Sequence, residues 1–202
     1  MIIDYTTNCN NYSVKILNNY AIFTYICPRC GATHSFTRHD VYDRNICCLD
    51  NNFEIVETKI TILRLLCNSC KTTHAILPSD VVPYCIYTFS CMVQFLVQHF
   101  VEKQSVLALC QKLKISFQLI YLFISRFLEF VDSAFFVLRI LGYFDVDISN
   151  ISNLISTIAR YSKSNNFSLQ YFIHTKWIFL MTKFHNNLSV PICVGVHFES
   201  PT

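Results

Sequence analysis

Cys27-Pro28-Arg29-Cys30 and Cys67-Asn68-Ser69-Cys70 set four thiols in two CxxC pairs, 36 residues apart. Two cysteines three apart can turn their thiolates and the intervening amides around one cation. Two such knuckles face to face make a tetrahedral four-sulfur zinc site. The pairs are also copies of each other, since Cys27 to His34 and Cys67 to His74 both read C-x-x-C-x-x-T-H. A repeated octet is what two knuckles related by local pseudo-symmetry show. The expected ligands are therefore Cys27, Cys30, Cys67 and Cys70, and the expected cofactor is one structural Zn²⁺. A site saturated by four thiolates leaves no position for water, so it holds shape and hydrolyses nothing. It carries about two net negative charges, which Arg29, Arg38, Arg44, Arg64 and Lys71 lie close enough in sequence to offset. His34 and His74 end the octets, and either could replace a cysteine. Four thiols already complete a tetrahedron, so both are expected next to the metal, hydrogen-bonding to it or to the backbone. Cys47, Cys48 and His39 are read as packing.

The elements around these pairs read as strands. Residues 1–19 are polar and Asn-rich, with no sustained period, and are expected as a loose lead-in that could hold one short strand. Asn19 to Ile26 is β-rich and enters the first knuckle. His34 to Arg44 alternates, Asp50-Asn51-Asn52 is a turn, and Phe53 to Leu66 alternates into the second knuckle. His74 to Pro78 is a short exit strand. Strand, knuckle, hairpin, knuckle, strand is the plan of a zinc ribbon over about 20–80. Pro78 and Pro83 mark an elbow. Beyond it the apolar spacing turns helical, with helices expected at 84–101, 105–113, 116–131, 133–142, 149–161 and 168–184. Ser149 and Ser168 are the expected caps of the last two. Asn186-Asn187 closes the final helix, and Val190 to Phe198 reads as a short strand or extended tail. The expected fold class is α+β: a β-rich ribbon, then an all-helical domain over 81–202.

Within that domain, 105–130 has the layout of a helix-turn-helix. A short helix buries Leu109 and Leu113 and places small Cys110 at the helix contact. Lys114-Ile115-Ser116 is the turn, and Ser116 caps a second helix whose Ile120 and Phe123 face inward. The outward residues are Phe117, Gln118, Tyr121, Leu122, Ser125 and Arg126. Gln118 suits adenine, Arg126 suits phosphate or guanine, and Tyr121 reaches the DNA backbone. Phe117 and Leu122 suit a groove poorly, and an ordinary helical hairpin is the other reading. A third feature is the lack of acids between Asp147 and Glu199. Arg160, Lys163, Lys176, Lys183, His174 and His185 lie there with Tyr161, Tyr171 and Trp177. This could be a nucleic-acid face or simply a solvated helix face.

Composition sets the bounds. With 52% hydrophobic and 14% charged residues, disorder is excluded over most of the chain. Gly31, Gly142 and Gly195 are too far apart for a phosphate-cradling loop. A net charge of +3 permits a nucleic-acid partner without requiring one. The 11 cysteines could suggest an oxidised scaffold. However, Met1 to Thr7 lacks the features of an export signal, and Cys85, Cys91 and Cys110 lie in helix-like runs. A reduced, cytoplasmic chain is expected, with four cysteines on zinc. Val81 to Val101 is uncharged and long enough to span a bilayer, but Pro83, Gln94, Gln98 and His99 favour a buried core helix. No nucleophile constellation and no acidic pair for Mg²⁺ stands out, so no enzyme is expected.

The two knuckles, the basic hairpin between them, the Thr73-His74-Ala75-Ile76-Leu77-Pro78 run, Val82-Pro83-Tyr84 and the following helix-turn-helix resemble small bacterial zinc-ribbon proteins of mobile elements. That family is similar to the N-terminal region of insertion-sequence transposases, and the resemblance covers about 20–130. It implies a non-catalytic accessory of a transposition system that binds double-stranded DNA. The expected DNA contacts are Arg29, Arg38, Arg44 and Lys71 on the ribbon, and Gln118, Tyr121 and Arg126 on the helix. The alternative is a protein-interaction module whose ribbon and apolar helices dock on a transposase or another partner. A third, weaker reading is a metal-dependent hydrolase with a histidine-containing open site.

Overall fold

The computed structural model describes all residues except 20–24, 51, 148, 165 and 182–202, within which only the backbone of Cys193–Gly195 is described. The chain is mixed α+β. It divides into two compact units, Met1–Ile46 with Thr58–Ile86 and the chain from Asn186 on, and Cys47–Glu57 with Tyr87–His185.

The first unit is built on a sheet. The strands are β1 (Ile2–Asp4), β2 (Phe36–Leu49), β3 (Ile55–Cys67), β4 (Thr73–Pro78) and β5 (Cys193–Gly195), with the hairpin tip from Cys47 to Glu57 counted in the second unit. The spatial order is β2-β3-β4-β1-β5. β3 and β4 are antiparallel, with Leu65 opposite His74, while β1 runs parallel to β4, with Ile2 opposite Ile76. β5 runs parallel to β1 on its other side.

The expected lead-in is core rather than loose. β1 is fully buried, and a π-helical turn at Ser13–Leu17 packs Ile16 inward. Its polar residues bond within the fold. The Tyr12 hydroxyl donates to the Ile76 carbonyl at 2.6 Å and accepts the Leu63 N–H at 3.1 Å, so one side chain ties two strands. The buried Asp4 carboxylate accepts from the Thr6 N–H and hydroxyl and from the Tyr25 hydroxyl at 2.7 Å. Buried polar atoms with complete hydrogen bonding pass for loop residues when read by composition alone. Most of the strand expected at 19–26 lies outside the described residues, and at its end Ile26 bridges to Thr33.

The β2–β3 turn is organised by Asp50. Its carboxylate accepts the Asn52 and Glu54 N–H groups at 2.9 and 2.8 Å, as aspartate does in tight turns.

The second unit holds α1 (Phe89–Leu96), α2 (Val106–Leu113), α3 (Phe117–Ile140), α4 (Ile151–Ser164) and α5 (Phe167–Thr175). The helix expected from 84 begins later. Tyr84 has φ +59°, and Thr88 caps α1 by accepting the Cys91 N–H. α1 widens into a π-helical stretch at Val97–Val101. The helices expected at 116–131 and 133–142 are one helix, α3. Inside it, the Ser133 hydroxyl donates to the Phe130 carbonyl and meets the Tyr171 hydroxyl at 2.6 Å.

α4 is capped by Asn150, whose side chain accepts the Asn153 N–H, while Ser149 bonds to Asp147. α5 is capped by Asn166, and Ser168 is buried inside it. α5 ends at Lys176, which is left-handed at φ +62°, well short of 184. Asn186-Asn187 lies outside the described residues, and of Val190 to Phe198 only β5 is described. The core of this unit is aromatic: Phe95 stacks on Phe123, and Phe130, Phe167 and Tyr171 all meet the Phe179 ring. Among the described residues no helix is long and apolar enough to cross a membrane.

Candidate metal centre

The ends of β3 and β4 and the segment before β2 bring the four predicted thiols together. Their sulfurs all lie within 4.8 Å of one another. Cys27 Sγ is 3.6 Å from Cys70 Sγ, and Cys30 Sγ is 3.7 Å from Cys67 Sγ. A zinc–sulfur bond of about 2.3 Å sets the edge of a four-sulfur tetrahedron at roughly 3.8 Å. The cluster thus has the dimensions of a tetrahedral site, and none of the four cysteines is in a disulfide.

The repeat seen in the octets is a repeat of backbone geometry. In the first knuckle the Cys27 N–H donates to the Ala32 carbonyl, and the Gly31 N–H donates to the Cys27 carbonyl. In the second, the Cys67 N–H donates to the Thr72 carbonyl, and the Lys71 N–H donates to the Cys67 carbonyl. Gly31 and Lys71, the equivalent residues after each second cysteine, are both left-handed, at φ +72° and +56°. The Ala32 and Thr72 N–H groups donate to the sulfurs of Cys30 and Cys70 in the same way. Donors aimed at sulfur favour thiolate, the form that binds metal.

The knuckles are stitched to each other. Arg29 donates to the Thr72 hydroxyl at 2.6 Å, the Ser35 and Ser69 hydroxyls meet at 2.9 Å, and the Asn68 N–H donates to the Ser35 carbonyl at 2.7 Å.

The electrostatics follow. The Thr72 hydroxyl and N–H, helped by neighbouring thiols, hold Cys70 down at about 6. Burial opposes ionisation of Cys67, but the Cys70 and Ser69 N–H groups overcome it and the thiol sits below its usual range. Cys30 receives the Ala32 N–H, yet desolvation and the three sulfurs around it push it up to about 12. Sulfurs this close cannot all ionise against one another, and a dication removes that conflict.

The histidines part company. His74 is buried, with Nε2 at 3.4 Å from Cys27 Sγ and Nδ1 at 3.3 Å from the Met1 nitrogen. Burial, the terminal amine and Arg29 lower it to about 4, so the ring is neutral. A neutral ring that receives the amine at Nδ1 donates from Nε2 to the Cys27 sulfur, an orienting contact of the kind expected beside a metal. His34 is exposed, at φ +52°.

The other predicted residues scatter. Arg38 and Lys71 are exposed, as is Arg29 apart from its bond to Thr72. Arg44 is half-buried, and its guanidinium donates to the Val82 and Cys85 carbonyls, so it holds the elbow. Arg64 pairs with Asp40. In the second unit Gln118, Tyr121, Leu122, Ser125 and Phe117 are exposed as expected, while Arg126 is half-buried. Of the aromatics near the basic segment, Tyr171 is core rather than surface. Lys183 and His185 lie outside the described residues.

Sequence reasoning missed Asp4, Tyr12 and Tyr25, the buried polar supports of the sheet that carries the site. Nothing in their spacing marks them.

A family model described as a domain of unknown function (DUF6431) matches residues 19–109, which include both knuckles and the hairpin between them and end inside α2. No curated protein and no solved structure matches the chain.

Proposed function

We propose that this chain is a zinc-dependent, non-catalytic DNA-binding protein of the mobile-element kind, with the ribbon as its contact surface. The observation that carries the reading is the cluster of four sulfurs at tetrahedral spacing, held by two matched knuckles. Cys27, Cys30, Cys67 and Cys70 would hold one Zn²⁺, which supplies a fixed shape and no open coordination position. The histidine-containing open site is disfavoured because His74 already serves Cys27. Exposed Arg29, Arg38 and Lys71 flank the knuckles and suit phosphate contacts, which depend on charge and not on base identity. Arg44 is left out of the contact, since two carbonyls occupy it.

The test is zinc stoichiometry together with duplex binding across a salt series. The expected result is one zinc per chain and an affinity that falls steeply with salt. Reversing Arg38 and Lys71 together should flatten that slope by about two phosphate contacts. Binding unaffected by the double reversal would reject the ribbon as the contact.

A second reading, contact with protein, is favoured by α3. Lys114 turns left-handed after α2, and Ser116 caps α3 through the Leu119 N–H. The outward face of α3 offers Phe117, Tyr121, Leu122 and Leu128, which give a DNA groove little to bond to. Under this reading α3 serves a protein surface, and the DNA contact stays with the ribbon.

A further inference from the structure

We infer that Cys30 is the entry point for a hydroperoxide, and that oxidation there exchanges the metal for two disulfides, Cys30–Cys67 and Cys27–Cys70, each joining one knuckle to the other. The inference rests on the zinc reading only for the ion that is released. The pairing rests on the positions of the sulfurs.

Access decides where oxidation starts. Of the four cysteines Cys30 is exposed, Cys70 is half-buried, and Cys27 and Cys67 are buried. A metal holds its cysteines as thiolates, the form that attacks a peroxide, and among thiolates oxidation follows exposure. Position decides where oxidation ends. Cys67 Sγ stands 3.7 Å from Cys30 Sγ and Cys70 Sγ stands 3.6 Å from Cys27 Sγ, and both contacts run between the knuckles. A disulfide needs about 2.05 Å, so side-chain rotations that bring the sulfurs roughly 1.6 Å closer complete either bond. The partner sulfur is already in place, so it reaches an oxidised Cys30 before a second peroxide does.

The chemistry balances with the hydroperoxide as the one added reactant. The Cys30 thiolate attacks a peroxide oxygen, the O–O bond breaks, and hydroxide leaves a sulfenic acid behind. The Cys67 thiolate then attacks the Cys30 sulfur. The S–S bond forms, the S–O bond breaks, and a second hydroxide leaves. Each sulfur gives up one electron, and the peroxide takes both. Cys70 and Cys27 repeat the sequence with a second peroxide. With every thiolate consumed, none of the four sulfurs holds a dication.

The product keeps the knuckles joined. Cys27 and Cys70 are 43 positions apart, and Cys30 and Cys67 are 37 apart. Bonds that close such long loops constrain the unfolded chain more than bonds between cysteines three apart within one knuckle. The Arg29 bond to Thr72 and the Ser35 bond to Ser69 already hold the two knuckles together. The oxidised sheet is therefore metal-free and folded, where the chelated one is loosened.

Hydrogen peroxide titrated into the full zinc-loaded chain tests this, with zinc release read by a chromophoric chelator and disulfides by peptide mapping without reduction. The expected result is two peroxides consumed per zinc released, with Cys30 joined to Cys67 and Cys27 to Cys70. Hydrogen-exchange protection in β3 and β4 should survive oxidation and be lost on chelation. A dithiol with added zinc should restore the starting state. Cys30→His keeps a fourth ligand and removes the accessible sulfur, so zinc release should slow about tenfold. Cys9→Ser, at a thiol bonded to Asp80, should leave rate and pairing unaltered. Zinc retained in excess peroxide, bonds within a knuckle, sulfinic acid at Cys30, or Cys30→His releasing zinc at the wild-type rate would each overturn the inference. A purified chain that carries no zinc would reject the zinc reading alone. Its peptide map after peroxide would still decide the pairing, upheld by bonds between the knuckles and overturned by any others.

Discussion

At the scale of single residues, the cysteines and their neighbours behave differently under substitution. Cys27→Ser removes one corner of a tetrahedron whose other sulfurs stand 3.6 Å and more away. Bound zinc should fall from one per chain to none, measured by metal analysis after gel filtration. His74→Ala leaves four thiols in place and removes only the donor to Cys27. One zinc should remain, held about 10- to 100-fold more weakly, by competition with a chromophoric chelator. Asp80 gives a separate test in the same unit. Its carboxylate accepts the Cys9 N–H and thiol, and burial raises it above the usual carboxylate range despite those bonds. A carboxyl raised on folding stabilises the fold when protonated, and that contribution is lost as pH rises through its folded value. Asp80→Asn keeps an acceptor and removes the charge. Its unfolding midpoint should exceed the wild type's at neutral pH, and the difference should shrink as the pH falls through the carboxylate range.

At the scale of elements, the knuckles and caps convert backbone geometry into stability. Gly31 and Lys71 occupy the same left-handed position, and a Cβ at Gly31 would meet nothing within 4 Å. The whole cost of Gly31→Ala is therefore conformational, about 1 kcal/mol, and Lys71→Gly should relieve a similar strain. Opposite signs in paired chemical denaturations would confirm that the knuckles are equivalent; equal signs would refute it. Ser116→Ala should cost about 1 kcal/mol through the lost cap on α3. These elements differ in how far they were legible. The octet announced both knuckles, because a metal site needs fixed residue types at fixed spacing. The range 105–113 and the Ser116 cap announced the starts of α2 and α3. The expected split of α3 near 132 was false, since the helix runs on and the Ser133 hydroxyl turns back to the Phe130 carbonyl within it. The position and burial of the first strand stayed hidden for the opposite reason. Ile2 and Ile3 are only two apolar residues, and their burial depends on β4, more than 70 positions away. Local pattern cannot show a parallel pairing of that separation.

Across the whole molecule, the division into two units predicts that the metal stabilises one of them selectively. The four sulfurs lie in the unit that holds the sheet, and they join the segment before β2 to the ends of β3 and β4. A metal held by these thiols would add its binding free energy to the folding free energy of that unit. The helical unit has a packed aromatic core of its own and holds none of these sulfurs. Chelation should therefore loosen the sheet and leave the helices folded. The measurement is hydrogen exchange resolved by segment, before and after a strong chelator. Protection should vanish in β3 and β4, from Ile62 to Leu77, and persist in α3 from Phe123 to Val137. Restoring zinc should restore the sheet's protection without altering that of α3. Loss of protection in both units together would mean that the chain folds as one cooperative body and that the division has no energetic meaning. Retention in both would mean that the thiols sit at tetrahedral spacing without needing a metal to hold them there.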